Sequence, residues 1–151
     1  MPKTQLDEFG HTPLHYAAAD GDVAAVDRLL ATEDVNLADH EGWTPLHFVA
    51  SAGAPDVVTR LLDTGADVHA LTEKGMPAIY WAAVTNRGDP VATIRVLRAR
   101  GADPTRITIK GSYNIFPAHS PLHCIMSEGH PAEIRSEFAD LLDERQSRPS
   151  A

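Results

Sequence analysis

Four segments of this chain carry versions of one hexapeptide, and that recurrence limits the fold more than any other feature. Gly42-Trp43-Thr44-Pro45-Leu46-His47 is preceded by Gly10-His11-Thr12-Pro13-Leu14-His15. It returns in altered form as Lys74-Gly75-Met76-Pro77-Ala78-Ile79 and as His119-Ser120-Pro121-Leu122-His123. Thr12 to Thr44 is 32 residues, Thr44 to Met76 is 32 again, and Met76 to Ser120 is 44. A fixed period of this length marks a repeat array. Each unit is one supersecondary element that cannot bury its apolar face alone, so stacked neighbours must supply the core.

The second copy shows what one unit is. Thr44 is a good N-cap and Pro45 suits the first helical position. Leu46, Val49 and Ala50 form an apolar stripe at helical spacing, and Gly53 ends the helix. Pro55 and Asp56 open a second helix whose buried face is Val58, Leu61 and Leu62, and Gly65-Ala66-Asp67 stops it. The same logic places helices at about Pro13–Asp20 and Asp22–Ala31, Pro77–Val84 and Pro90–Arg100, and Pro121–Ser127 and Pro131–Arg145. In the third copy the finger before the helix is expected to be one residue short, which puts Trp81 where Ala17 and Val49 stand, a position that is otherwise small. The turn Thr85-Asn86-Arg87-Gly88-Asp89-Pro90 reads as about four residues longer than its counterparts. In the fourth copy eight residues, Ser112–His119, stand where one is expected. The last helix presents Ile134, Phe138, Leu141 and Leu142 on one face and charge on the other, which suits a terminal cap, and residues 146–151 read as a frayed tail.

Thr-Pro-Leu-His, a small-residue helix, a Gly and a second helix ending in Leu-Leu together resemble the ankyrin repeat, over roughly Asp7 to Arg145. The resemblance implies an all-α solenoid of helix-turn-helix units with short β-hairpin-like fingers. It implies one domain, 1–151, with repeats at about 7–38, 39–70, 71–103 and 104–145. In that family the motif histidine hydrogen-bonds between neighbouring loops, the role implied for His15, His47 and His123. The family's finger tips and inner helices form a concave face that holds partner proteins. Its tips correspond here to Glu8, Phe9 and His11, to His40, Glu41 and Trp43, and to Glu73 and Lys74. The matching inner-helix positions are Ala19, Asp20, Ser51, Ala52, Ala83, Val84, Ser127 and Glu128.

Charge and composition exclude several classes. The net charge of −8 disfavours nucleic acid and anionic membrane, which need clustered Lys and Arg. No apolar run is long enough to span a bilayer, and Met1–Leu6 lacks an apolar signal core. The lone Cys124 has no partner for an internal disulfide, so a cytoplasmic monomer is expected. Arginines outnumber lysines ten to three, as in a GC-rich bacterial genome. The charge is uneven: residues 71–110 carry seven basic and three acidic side chains, a basic band in an acidic array. A solvated outer helix carrying arginines accounts for this band more simply than a dedicated anion site.

No catalytic frame emerges. His11/His15 and His119/His123 have i, i+4 spacing, but His11 and His119 precede the helix start, so they do not share a continuous helical face. Thr12/His15, Thr44/His47 and Ser120/His123 read as capping pairs rather than nucleophile and base. Cys124 beside His123 reads as a small packed group rather than an activated thiol. Phosphate loops, CxxC and HExxH are missing, and neither an enzyme nor a cofactor is expected. The expected function is non-catalytic protein–protein interaction, by analogy that of an inhibitor, adaptor or immunity-type partner. The partner would contact Phe9, His11, His40, Glu41, Trp43, Glu73 and Lys74, together with Tyr113, Asn114, Phe116 and His119 of the fourth finger. Phe9 and Trp43 stand out as large apolar groups at positions expected to be wet. The competing readings are a metal- or small-ligand-binding protein using His11, His40 and His119, and a structural spacer in a larger assembly.

Overall fold

Each helix pair begins with the same piece of chemistry. The first amide groups of a helix have no partner inside it, and the Thr-Pro-Leu-His motif supplies partners from both directions. Thr12 is extended (φ −100°, ψ 166°), and its Oγ1 accepts the His15 amide at 3.3 Å. His15 Nδ1 in turn accepts the Thr12 amide at 2.9 Å. The second copy repeats the return contact, with the Thr44 amide donating to His47 Nδ1 at 3.0 Å. Histidine here does the work that glutamate does in an ordinary capping box.

The structure is a computed structural model in which residues 6–110, 118, 120–127 and 130–141 are described. Its helices are α1 (Pro13–Asp20), α2 (Val23–Leu30), α3 (Pro45–Ala52), α4 (Pro55–Asp63), α5 (Ala78–Val84), α6 (Pro90–Ala99), α7 (Pro121–Ser127) and α8 (Ala132–Ser136). The odd-numbered helices pack in series as an inner layer, the even-numbered ones as an outer layer, and α1–α2, α3–α4 and α5–α6 pack within their pairs. One continuous core runs between the layers, with Leu14, Val26, Leu46, Val58, Ile79, Ile94, Leu97, Ile125 and Phe138 almost fully buried. This is the expected all-α solenoid.

The fingers hold one another through backbone rungs. The His40 amide donates to Phe9 O at 2.9 Å, the Glu73 amide to Glu41 O at 2.9 Å, and the Lys110 amide to Lys74 O at 3.2 Å. Such close stacking leaves no room for a side chain at the finger bend. A Cβ on Gly75 (φ +86°) would lie 1.8 Å from Thr108 O. The third finger closes with a single antiparallel bridge between Leu71 and Pro77.

The third copy differs from its expected register. Pro77, not Met76, takes the N-cap place of Thr44, and α5 starts at Ala78. The finger is therefore not shortened: Gly42 to Gly75 is 33 residues, and Met76 O accepts the Thr72 amide as Trp43 O accepts the Asp39 amide. Trp81 then falls in the position of Tyr16 and Phe48, while Ala82, fully buried, takes the place of Val49. The α5–α6 turn has five residues, 85–89, against two in each earlier pair, so it is three longer rather than four. It folds back over its neighbour: the Asp89 amide donates to Gly53 O at 2.8 Å and Thr85 Oγ1 to Ser51 O at 2.6 Å.

The outer layer takes up three of the seven basic residues of the band, Arg95, Arg98 and Arg100. Arg60 pairs with Asp27 at 2.7 Å, Arg95 with Glu137 at 2.8 Å and Arg98 with Asp140 at 2.6 Å, while Arg100 pairs with Asp63. Each pair joins one outer helix, or the segment following α8, to its neighbour, and exposed pairs of this kind contribute about 0–1 kcal/mol apiece. Arg98 also donates to Glu137 O and lies 5.9 Å from the centre of the buried Phe138 ring. That contact accompanies a break in the last helix, which was expected to run unbroken from Pro131. After α8 the Glu137 and Phe138 amides bond back three residues rather than four, residues 137–138 form a turn, and helix resumes at residue 139. With the Glu137 carbonyl donated to by Arg98, the Leu141 amide bonds to Phe138 O instead.

Two predictions follow from the packing. Gly65 (φ +105°) has no atom within 4 Å of a built Cβ, so Gly65→Ala and Gly75→Ala differ in contact but share an unfavourable φ. Urea denaturation should show Gly75→Ala less stable than Gly65→Ala by at least about 2 kcal/mol; equal losses would show that backbone strain alone matters there. The second concerns the buried histidines. Burial lowers the pKa of His15 and pulls that of His47 down to about 4 from 6.5, so both are neutral in the fold. Below pH 6.5 the unfolded chain binds protons that the folded chain does not, and stability falls as the pH drops toward 4. Between pH 7.5 and 5.5, where carboxylates stay ionised, His47 alone should contribute a loss of about 1 kcal/mol, and His47→Gln should remove that contribution. An unchanged pH dependence in that variant would reject the assignment.

Candidate binding site

Repeating one unit places equivalent side chains in rows, and the row after the motif histidine is aromatic: Tyr16, Phe48 and Trp81. The last residue of each finger, His11, Trp43 or Met76, stands beside it. The two rows interleave across the repeats. His11 lies 5.3 Å from Phe48 at 89°, Phe48 lies 5.2 Å from Trp43, and Trp43 stacks on Trp81 at 4.5 Å and 34°. Tyr80 closes the series edge-on to Trp81 at 5.2 Å. Offset and edge-to-face pairs at these separations add to what area burial alone contributes.

Where the two indoles meet, a cleft of about 280 Å³ opens between the second and third fingers. Glu41 and Trp43 form one wall, Thr72, Glu73, Lys74 and Met76 the other, and Trp81 of α5 lines it as well. Its volume lies at the lower end of small-molecule sites and suits one protruding side chain better than an extended cofactor. Indole and thioether supply an apolar body, and two carboxylates and an ammonium supply charge.

Four residues expected to touch a partner, Glu41, Trp43, Glu73 and Lys74, are thus brought together. Three others sit on the first and second fingers with distinct surroundings. Phe9 is 57% exposed and stacks on His11 at 5.7 Å. His11 is engaged on both ring nitrogens: Nε2 meets Asp39 Oδ2 at 2.9 Å and Nδ1 lies 3.2 Å from Asp7 Oδ2. A hydrogen bond from the Tyr16 hydroxyl, with backbone amides of Phe9 and His11, holds the Asp7 carboxyl well below the usual carboxylate range. His40 lies against the bend of the first finger, where a Cβ on Gly10 would meet its ring at 2.8 Å. Tyr113, Asn114, Phe116 and His119 lie outside the described residues, as do Glu128 and the side chain of Ser127.

Thr72, Met76 and Trp81 were missed from sequence. The signal for Trp81 was present in the succession His15-Tyr16, His47-Phe48, Tyr80-Trp81, which becomes periodic once Pro77 is aligned with Thr44. At the other end of the inner helices, part of the expected concave surface is occupied by the chain itself. The Arg87 guanidinium donates to Ala19 O at 3.2 Å, Ser51 O accepts Thr85, and Ala52 is 9% exposed.

Two of the three motif histidines, His15 and His47, take the bridging role the resemblance implies. His15 Nε2 donates to Trp43 O at 3.0 Å, and His47 Nε2 donates to Ala70 O at 2.9 Å and to Met76 O at 3.2 Å. Cys124 is 6% exposed in the inner layer and forms no disulfide. Among the described residues no group of three or more His, Cys, Asp or Glu side chains is placed to hold a metal ion, and no helix is long and apolar enough to cross a membrane.

Stacked and exposed aromatics should respond differently to truncation. Trp43→Ala removes a ring packed on Phe48 and Trp81 and should cost about 2–4 kcal/mol, whereas Phe9→Ala should change stability by less than about 0.5 kcal/mol. Thermal and urea unfolding of the two variants measure this, and similar losses would place Phe9 in a packed environment that its exposure contradicts.

The comparison with known families agrees with the geometry. The family profile described as "Ankyrin repeats (3 copies)" matches residues 2–72 and 33–108. No curated protein matches the sequence at a significant level. With a profile covering more than half of the chain, stacked helix pairs, finger rungs and histidine bridges all in one array, the chain belongs to the ankyrin-repeat family.

Proposed function

We propose that this protein is a non-catalytic binding module that holds a folded partner protein against its fingers, with the cleft between the second and third fingers at the centre of the contact. Ankyrin repeats are in general protein–protein interaction modules. The observation that carries the reading for this chain is the cleft itself, where Trp43, Trp81 and Met76 meet Glu41, Glu73 and Lys74. Interface hot spots have this anatomy, a desolvated aromatic anchor ringed by polar groups, and Trp and Arg are the commonest residues in them. Phe9, 57% exposed on the first finger, adds a second apolar group to the finger surface. In this reading the Ser112–His119 insertion extends the fourth finger toward the same partner, and residues 104–145 form the fourth repeat. In this reading the protein is a monomeric cytoplasmic inhibitor, adaptor or immunity-type partner.

The test uses variants that change the rim without touching the stacked rings. Immobilised wild-type chain is compared with Glu41→Lys/Glu73→Lys in affinity capture from native lysate, read by mass spectrometry, after unfolding curves show equal stability. A protein retained by the wild type and lost from the variant by at least about tenfold is the expected result. A protein retained equally by both would move the interface away from this cleft.

A further inference from the structure

The cleft has a sign and a shape as well as a position. We infer that it receives an arginine side chain from the partner, with the guanidinium stacked on the Trp43–Trp81 pair between the Glu41 and Glu73 carboxylates. This rests on the binding reading above and specifies its chemistry.

Three observations converge on it. The first is the aromatic wall. Two indoles packed on each other at 4.5 Å and 34° line the opening. A cation over an indole face is attracted by the ring quadrupole, and tryptophan is the strongest partner for it. Guanidinium is planar and weakly hydrated, so it stacks on such a face with less desolvation than an ammonium. The second is the carboxylate pair. Glu41 and Glu73 line the same cleft from adjacent fingers, and the rung from the Glu73 amide to Glu41 O at 2.9 Å ties their backbones together. Carboxylates flanking a guanidinium are its natural hydrogen-bond acceptors. The third is the surrounding field. The chain carries a net charge of −8, and Arg95, Arg98 and Arg100 of the third pair are engaged by acidic side chains of neighbouring segments on the outer layer. Lys74 is the basic residue that lines the cleft, against two carboxylates. The balance there favours an incoming cation, and Lys74 opposes it. An arginine side chain also fits the cleft's roughly 280 Å³.

The chain has two tryptophans, and both line this cleft, so their indole N–H resonances report on it alone. The experiment titrates ¹⁵N-labelled full-length protein with N-acetyl-arginine amide, N-acetyl-lysine amide and N-acetyl-citrulline amide, the last an uncharged analogue of arginine. Binding in the millimolar range is expected for the arginine probe, weaker for lysine, and at least about tenfold weaker for citrulline. Glu41→Gln/Glu73→Gln should weaken the arginine probe by about five- to tenfold, and Lys74→Gln should strengthen it by about two- to fivefold. Equal binding of citrulline, a Lys74→Gln variant that binds more weakly, or no indole shift at any probe concentration up to roughly 50 mM would overturn the inference. The two readings fail separately. A captured partner lost from the rim variant while the arginine probe leaves both indoles unmoved keeps the binding surface and removes arginine from it. Binding of the probe with capture unaffected keeps the cationic pocket and removes the larger surface.

Discussion

The N–H of a buried imidazole, donated across the gap between repeats, is the interaction on which this array depends. His47 reaches Ala70 O and Met76 O with Nε2, while Nδ1 accepts the Thr44 amide that starts its own helix. One side chain therefore fixes a helix start, a tautomer and the position of the next finger. Its ring is fully buried, so the imidazole has no water as an alternative partner. Losing the imidazole would leave donors and acceptors on two repeats unpaired at once, each costing about 1–3 kcal/mol. His15 does the same one repeat earlier, toward Trp43 O. The third copy changes the cap for a chemical reason. Pro77 occupies the N-cap and has no N–H to satisfy, and Tyr80 replaces the histidine. The Lys110–Lys74 rung and close backbone contact at Gly75 join this finger to the segment that follows it.

Electrostatics divide the molecule into two faces. The outer layer is laced from one pair to the next by Arg–Asp and Arg–Glu contacts, so the arginines of the third pair are spent on neighbours. The fingers keep their carboxylates around an aromatic wall. Three arginines of the basic band thus tie outer segments together, while two carboxylates and Lys74 face the cleft.

Much of this was legible in the sequence because capping chemistry is local. Thr12, Thr44 and Ser120 with the following proline place the starts of α1, α3 and α7 where they are found, and Gly53 marks its helix end with φ +67°. The Val58 and Leu61 spacing marks the buried face of α4. The third copy was misaligned because proline was given its usual first-helical place, whereas Pro77 sits one position earlier. That single slip moved Trp81 out of the aromatic row and hid the cleft, of which only Glu41, Trp43, Glu73 and Lys74 were identified. The break after α8 was not legible either, since it coincides with a contact from another helix, Arg98 to the Glu137 carbonyl.

The long turn between α5 and α6 has a consequence for how the array comes apart. In a simple solenoid each unit feels only its immediate neighbours, and melting proceeds one unit at a time from the ends. Here Arg87 bonds to Ala19, 68 residues away in the first pair, while Asp89 and Thr85 fasten the same turn to the second pair. The turn joins a unit to its next-nearest neighbour. Coupling of that range lengthens the cooperative block: opening the first pair also releases a contact of the third. The first three pairs are thereby tied into one unfolding unit, and the fourth lies beyond this brace.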